Sequence, residues 1–244
     1  MIHIQSSPTR RFRPIPGLAH AVLAALFATI SIAAGAQTTG TDGLKSLENF
    51  VKTARSGRAA FTQVVTSPAR EGQTAKVKTS SGSFEFLRPN RFKFLYKKPF
   101  EQSIVADGQT LWLHDVDLNQ VTSRKLAQAL GGTPAAVIAA AADLKALQAD
   151  FTLTPLPEKD GLQWVQAKPK TKDGQLQSIS VGFRPTDKAG DKANEKGSEL
   201  AVLDILDSFG QRSVMSFSQF ELNPALAASH FQFTPPKGAD VIRQ

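Results

Sequence analysis

Gly82 to Lys98, GSFEFLRPNRFKFLYKK, is the stretch that decides the fold. Phe84 and Phe86 alternate with Ser83 and Glu85, and Phe92, Phe94 and Tyr96 alternate with charged or smaller neighbours. A period of two is the pattern of a β-strand, so Phe92, Phe94 and Tyr96 share one face. Arg91, Lys93 and Lys97 take the other. Pro89 disfavours a helix-like backbone at Arg88, which places that residue at a strand end.

The same period extends outward in both directions. Phe61, Gln63 and Val65 alternate with Ala60, Thr62 and Val64 upstream. Downstream, Ile104-Val105 and Leu111-Trp112-Leu113 continue the β pattern across the turn signal Asp107-Gly108. Further strands are expected at Phe151–Leu153, Gln163–Val165, Ile179–Phe183, Val202–Leu206, Ser213–Leu222 and Phe231–Phe233. Residues 185–198, PTDKAGDKANEKGS, hold no large apolar side chain and predict a solvated hairpin tip.

Helical spacing is confined to two places. Leu44, Leu47, Phe50, Val51 and Ala54 recur at steps of three and four, predicting an amphipathic helix entered from Thr41 or Asp42 and ended by Gly57. In the middle of the chain, Ser123 caps a short helix holding Leu126 and Leu130, closed by Gly131-Gly132. Thr133-Pro134 then starts another, whose body from Ala135 to Ala142 is small residues plus Val137 and Ile138. A helix so poor in bulk packs weakly, which suits an element that moves. The expected class is mainly β (α+β): a long antiparallel meander, preceded by one helix and interrupted by two. A sheet of that length curls, and helices over its mouth complete a container.

The amino terminus predicts the compartment. Arg10, Arg11 and Arg13 precede an uncharged apolar run from Leu18 to Ala34, and no acidic residue occurs before Asp42. That run is shorter than the ~20 residues of a membrane span and ends in Ala34-Gly35-Ala36, a signal-peptidase pattern. Residues 1–36 are therefore expected to be a secretory signal, leaving 37–244 as one domain. The chain carries a formal charge of +8, part of it on the three leader arginines. The remainder is too mild to indicate nucleic acid. The chain has no cysteine, so neither a disulfide nor lipidation of the chain itself is available. Its 16 Phe against one Tyr and two Trp favour apolar surface over a hydrogen-bonding groove.

Taken in order, several segments resemble the outer-membrane lipoprotein carrier family, LolA. They begin with Ala60-Phe61-Thr62-Gln63 and Gly82-Ser83-Phe84 running into Leu87-Arg88-Pro89-Asn90-Arg91-Phe92. Ala106-Asp107-Gly108, Leu111-Trp112 and Asp115–Val121 follow, then Thr133-Pro134 and Leu206–Gln211. The match closes on Phe231-Gln232-Phe233-Thr234-Pro235-Pro236-Lys237-Gly238 through Ile242. Each piece alone is weak; order, spacing and coverage of 44–244 make the resemblance specific. It departs at His114, where the family usually has an aromatic, and at the 185–198 tip.

The resemblance implies an open, incomplete antiparallel β-barrel with an apolar concave face and a lid of short α-helices. It implies a periplasmic monomer that takes acylated lipoproteins from an inner-membrane ABC transporter to an outer-membrane receptor. Phe61, Phe84, Phe86, Phe92 and Phe94 become the lipid-binding cavity, with Leu111 or Trp112 continuing it. Leu47, Phe50, Leu126, Leu130, Val137 and Ile138 become the lid's inner side. Without the resemblance such a stripe is an ordinary core, and Arg88 an ordinary surface arginine. With it, Arg88 is a latch that reaches carbonyls of lid helices ending near Gly131 or Ala142.

Other classes find little support. His114-Asp115-Val116-Asp117 has short spacing on a strand-to-turn segment and does not converge as metal ligands do. No nucleophile elbow or glycine-rich phosphate loop occurs, so no enzyme, metal or cofactor is expected. Two neighbouring functions remain open: a carrier of another lipid or glycolipid, and a lipid-sensing regulator.

Overall fold

The Phe-rich stretch folds as the hairpin its alternation predicts. In the computed structural model, which describes residues 42–69, 72–129, 143–171, 174–189 and 196–244, β2 (Lys76–Leu87) pairs antiparallel with β3 (Arg91–Lys98). Phe84 stands opposite Phe94 and Phe86 opposite Phe92, so four rings share one face. The Phe84 and Phe94 rings stack with centroids 4.4 Å apart.

Two meanders meet on one strand. The first comprises β1 (Ser56–Ser67), β2, β3, β4 (Gln102–Asp107), β5 (Thr110–Asp115) and β6 (Gln120–Lys125). The second comprises β7 (Phe151–Lys159), β8 (Leu162–Pro169), β9 (Leu176–Ala189), β10 (Lys196–Asp207) and β11 (Arg212–Leu222). β1 pairs with β2 on one side and with β11 on the other, joining both into a 12-stranded sheet. The order β12-β6-β5-β4-β3-β2-β1-β11-β10-β9-β8-β7 leaves β7 and β12 as edges, so the sheet is open. β12 (Asp240–Arg243) joins β6 in parallel, a departure from the all-antiparallel expectation.

The helices pack on the Phe face. α1 (Asp42–Thr53) buries Leu47, Phe50 and Val51, while Glu48 and Lys52 on its outer side form an i,i+4 ion pair at 2.6 Å. Gly43 lets the helix approach β8 closely, because a Cβ there would lie 2.0 Å from the Trp164 carbonyl oxygen. Ser46 hydrogen-bonds Gln163 on the same strand. α2 (Leu126–Ala129) and α3 (Leu144–Asp150) contribute Leu126 and Leu147 to the same core. Asp143 caps α3 by accepting from the Ala146 amide at 2.8 Å.

Some local expectations are corrected. Gly57 lies inside β1, where a Cβ would meet the Phe86 ring at 2.3 Å, so close packing explains this glycine. Ser123 belongs to β6, opposite Trp112, and does not cap α2. Phe231–Phe233 is no strand: Ala228–Phe231 is a 3-10 turn. In the 185–198 segment the β9–β10 ladder continues through Pro185–Ser198 and Thr186–Gly197. Leu130, Val137 and Ile138, with the expected helix from Thr133, lie outside the described residues.

Candidate functional site

Strand alternation and register assemble the predicted face. Phe61, Phe84, Phe86, Phe92 and Phe94 are all buried, and Leu111 borders them beyond Ala106. Phe61 meets Phe94 edge-on at 5.8 Å, and Phe84 lies 5.5 Å from Phe217 of β11. The face continues through Met215, Leu203, Val181, Ile179 and Val165, so one apolar layer crosses most of the sheet. At about 25 cal/mol per Å², burying each such side chain contributes roughly 1.5–3 kcal/mol. Something must cover this layer for the fold to hold.

Among the described elements, α1 does most of the covering. Phe50 inserts between both meanders, with ring centroids 6.0 Å from Phe86, 5.6 Å from Phe183 and 6.0 Å from Phe220. Leu47 is buried beside it.

Trp112 does not join this face. Leu111 pairs with Ala106 on the Phe side, so its neighbour Trp112, opposite Val105, points the other way. There it packs against Phe233 at 5.5 Å and donates its indole N–H to Asp107 at 2.9 Å. His114, two residues along the same strand, also lies against Phe233 at 5.9 Å. Burial pushes the Asp107 carboxyl up, but bonds from Trp112 and the Thr110 and Gln109 amides outweigh it and leave the pKa below the ordinary value. Trp112 thus anchors the carboxy-terminal segment to the outer side of the sheet. Glu85, also on that side, contacts His230 at 2.6 Å and Arg58 at 2.7 Å.

Arg88 sits where the strand end meets the end of α1. Its Nε donates to the Ala54 carbonyl at 2.7 Å, and its backbone amide donates to Arg55 at 2.8 Å. The guanidinium carbon lies 5.7 Å from the Phe50 ring and 5.6 Å from Phe86, a cation held between two aromatic faces. Burial there pushes its pKa down to about 10, still far above neutrality. Ala54 follows the last helical turn, whose carbonyls have no partners within the helix and lie at the negative end of its dipole. The described acceptor is therefore the residue just past the end of α1. The helices ending near Gly131 and Ala142 lie outside the described residues.

One residue at this junction escaped the sequence reading. Asn223 adopts a left-handed φ of 56° and turns its side chain onto the same helix end. Its Nδ2 donates to the Thr53 carbonyl at 2.9 Å, and its Oδ1 accepts from the Arg55 amide at 2.8 Å. The one signal in the sequence that points to it is the turn-favouring pair Asn223-Pro224 at the end of the last long strand.

Comparison with known proteins places this geometry in a family. Residues 52–234 match the family described as "Outer membrane lipoprotein carrier protein LolA". An outer-membrane lipoprotein carrier protein of Albidiferax ferrireducens is 70% identical over 218 residues, covering 89% of this chain and 99% of that protein. Proteins of the same name from Methylibium petroleiphilum and Leptothrix cholodnii are each 54% identical, covering 89% and 83% of this chain and 96% and 86% of theirs. With its phenylalanine face and the arginine that ties a helix end across it, this chain belongs to the outer-membrane lipoprotein carrier family, LolA.

Proposed function

We propose that this chain is a periplasmic carrier that shields the acyl chains of lipoproteins between an inner-membrane ABC transporter and an outer-membrane receptor. It works as a monomer, and residues 1–36 are its secretory signal, removed to leave 37–244. The observation that carries the reading is Phe50 of α1 lying against Phe86 and Phe183 while Arg88 holds the end of that helix. An apolar face of this size needs a cover when empty and must be uncovered to load.

The magnitudes agree with such a task. At ~0.8 kcal/mol per methylene, an acyl chain of about 15 carbons left in water costs on the order of 12 kcal/mol. The phenylalanine layer offsets that cost, provided α1 and the other helices act as a lid over a curled, incomplete barrel. Opening then exchanges helix-to-Phe contacts for acyl-to-Phe contacts of the same chemistry. Release stays feasible because the lid competes for the same surface. No helix among the described residues is long and apolar enough to cross a membrane.

A dye that brightens in apolar surroundings tests the container. The mature protein should bind it, and fatty acids should displace it with an affinity that climbs steeply from butyrate to palmitate. A flat response along that series would overturn the carrier reading. Native mass spectrometry of protein taken from its own periplasm then separates a lipoprotein cargo from a free glycolipid or a regulatory protein partner.

A further inference from the structure

The phenylalanine face is not apolar throughout. On β1 the inward positions run Phe61, Gln63, Val65, so a carboxamide follows the phenylalanine on the same side. Tyr96 of β3 reaches it across β2: its hydroxyl donates to Gln63 Oε1 at 3.0 Å. Gln63 Nε2 then donates to Ser213 Oγ of β11 at 2.8 Å. Gly82 stands opposite both Phe61 and Tyr96 in the ladder and offers no side chain between them. The Tyr96 ring therefore meets Phe61 edge-on at 5.0 Å.

This relay has a direction. Tyr96 spends its one donor on the amide oxygen, which fixes the Gln63 carboxamide with its nitrogen turned away from the ring. One hydrogen of that nitrogen goes to Ser213. The other, and the Ser213 hydroxyl hydrogen, have no acceptor among the described residues. Burial pushes the Tyr96 pKa up to about 12, so the phenol remains a neutral donor throughout the working pH range. A polar group beside phenylalanines disfavours folding unless paired, and hydrocarbon gains nothing from it. The carboxamide N–H and the hydroxyl O–H left over are donors, and ester and amide carbonyls are acceptors that can take them.

We propose that Gln63 and Ser213, oriented by Tyr96, form a donor site for the carbonyl groups that link acyl chains to the carried protein. The site rests on the carrier reading above and adds a second criterion to it. Phenylalanines hold the chains, and the relay recognises how the chains are attached. Tyr96 is a positioning residue: it sets which way the carboxamide points.

The test uses two synthetic lipopeptides carrying paired 16-carbon chains, one joined through esters and one through ethers. Each displaces an apolar dye from the full mature protein. The unaltered protein should bind the diester about tenfold more tightly, as expected for a pair of modest hydrogen bonds. Gln63→Leu should erase that ratio, and Ser213→Ala and Tyr96→Phe should each reduce it. Binding of the diether should not change, and circular dichroism should remain native. Equal affinity of the unaltered protein for both lipopeptides would overturn the donor site alone. Parallel losses for both ligands in Tyr96→Phe and Ser213→Ala would also overturn it, by assigning the relay a purely structural role. If neither lipopeptide binds, the carrier reading itself has failed.

Discussion

Asn223 and Arg88 grip consecutive carbonyls at the end of α1: Asn223 takes Thr53 at 2.9 Å and Arg88 takes Ala54 at 2.7 Å. The two differ in what surrounds them. Asn223 also binds the Arg55 and Ser56 amides through Oδ1, so it ties helix end and strand start together. Arg88 places its guanidinium between two rings. In a lid that swings, the first is a pivot and the second a catch.

Asn223→Gly keeps the left-handed backbone available and removes only the side-chain bonds. Each hydrogen bond contributes roughly 0.5–1.5 kcal/mol, and orphaned buried groups add to the loss. Urea unfolding should show a decrease of about 2 kcal/mol with an unchanged m-value. A decrease below about 0.5 kcal/mol would remove the pivot assignment.

Arg88→Leu removes the proposed catch and also the expense of keeping a charge between phenylalanines. These effects oppose each other, so stability should move by less than about 1.5 kcal/mol. Far-UV circular dichroism should stay native while onward transfer of a loaded lipoprotein fails in a reconstituted assay. Transfer at the normal rate would sink the latch.

Phe92→Glu places a carboxylate in the buried aromatic layer, where it either costs several kcal/mol or becomes neutral. Loading with lipid should fall at least tenfold, and thermal stability should fall as well. Lys93→Gln, on the opposite face against Val105, should leave loading within a factor of two. Equal loss from both would mean that the cargo does not use the Phe side.

Acid should loosen the outer side before the core. Burial favours neutral Glu85, but hydrogen bonds with His230 and Arg58 outweigh it and hold its pKa below the ordinary value. The folded value lies below the unfolded one, so this contribution is complete above the unfolded value. It fades as pH falls through the folded value, below the ordinary glutamate range near about 4.3. Glu85→Gln should flatten the acid limb of a stability-against-pH curve. Trp112, on the same outer side and packed on Phe233, gives a fluorescence readout of whether the loosening spreads to the carboxy-terminal segment. An acid limb identical to that of the unaltered protein would show that Glu85 contributes nothing to it.

What the chain revealed in advance depended on local periodicity. Phe84 and Phe86 flank Glu85, and Phe92 and Phe94 flank Lys93, and such alternation assigns a face without further information. Leu111-Trp112-Leu113 is apolar at every position, so no period separates inside from outside; only the ladder to Ala106 and Val105 does. α3 is seven residues long, too short for periodicity to declare itself, although Asp143 followed by Leu144 and Leu147 was a usable cap signal. Asn223 was illegible because the groups it binds lie 167 to 170 positions away in sequence. The donor relay was hidden for the same reason: Gln63 and Ser213 are 150 residues apart.

The pairing of β1 with β11 has a consequence in time. Phe61, near the beginning of the folded part, can meet Phe217 only after nearly the whole chain has emerged. Closing so long a loop is entropically slow, and sheets built on distant pairings nucleate late. Until then β1 is an open edge of the first meander, whose apolar face lacks the half that the second meander supplies. For a polypeptide led by the signal segment proposed above, that delay keeps it threadable through a translocation pore. If the proposed signal directs export, the join that makes one sheet of two meanders would also postpone folding until after translocation.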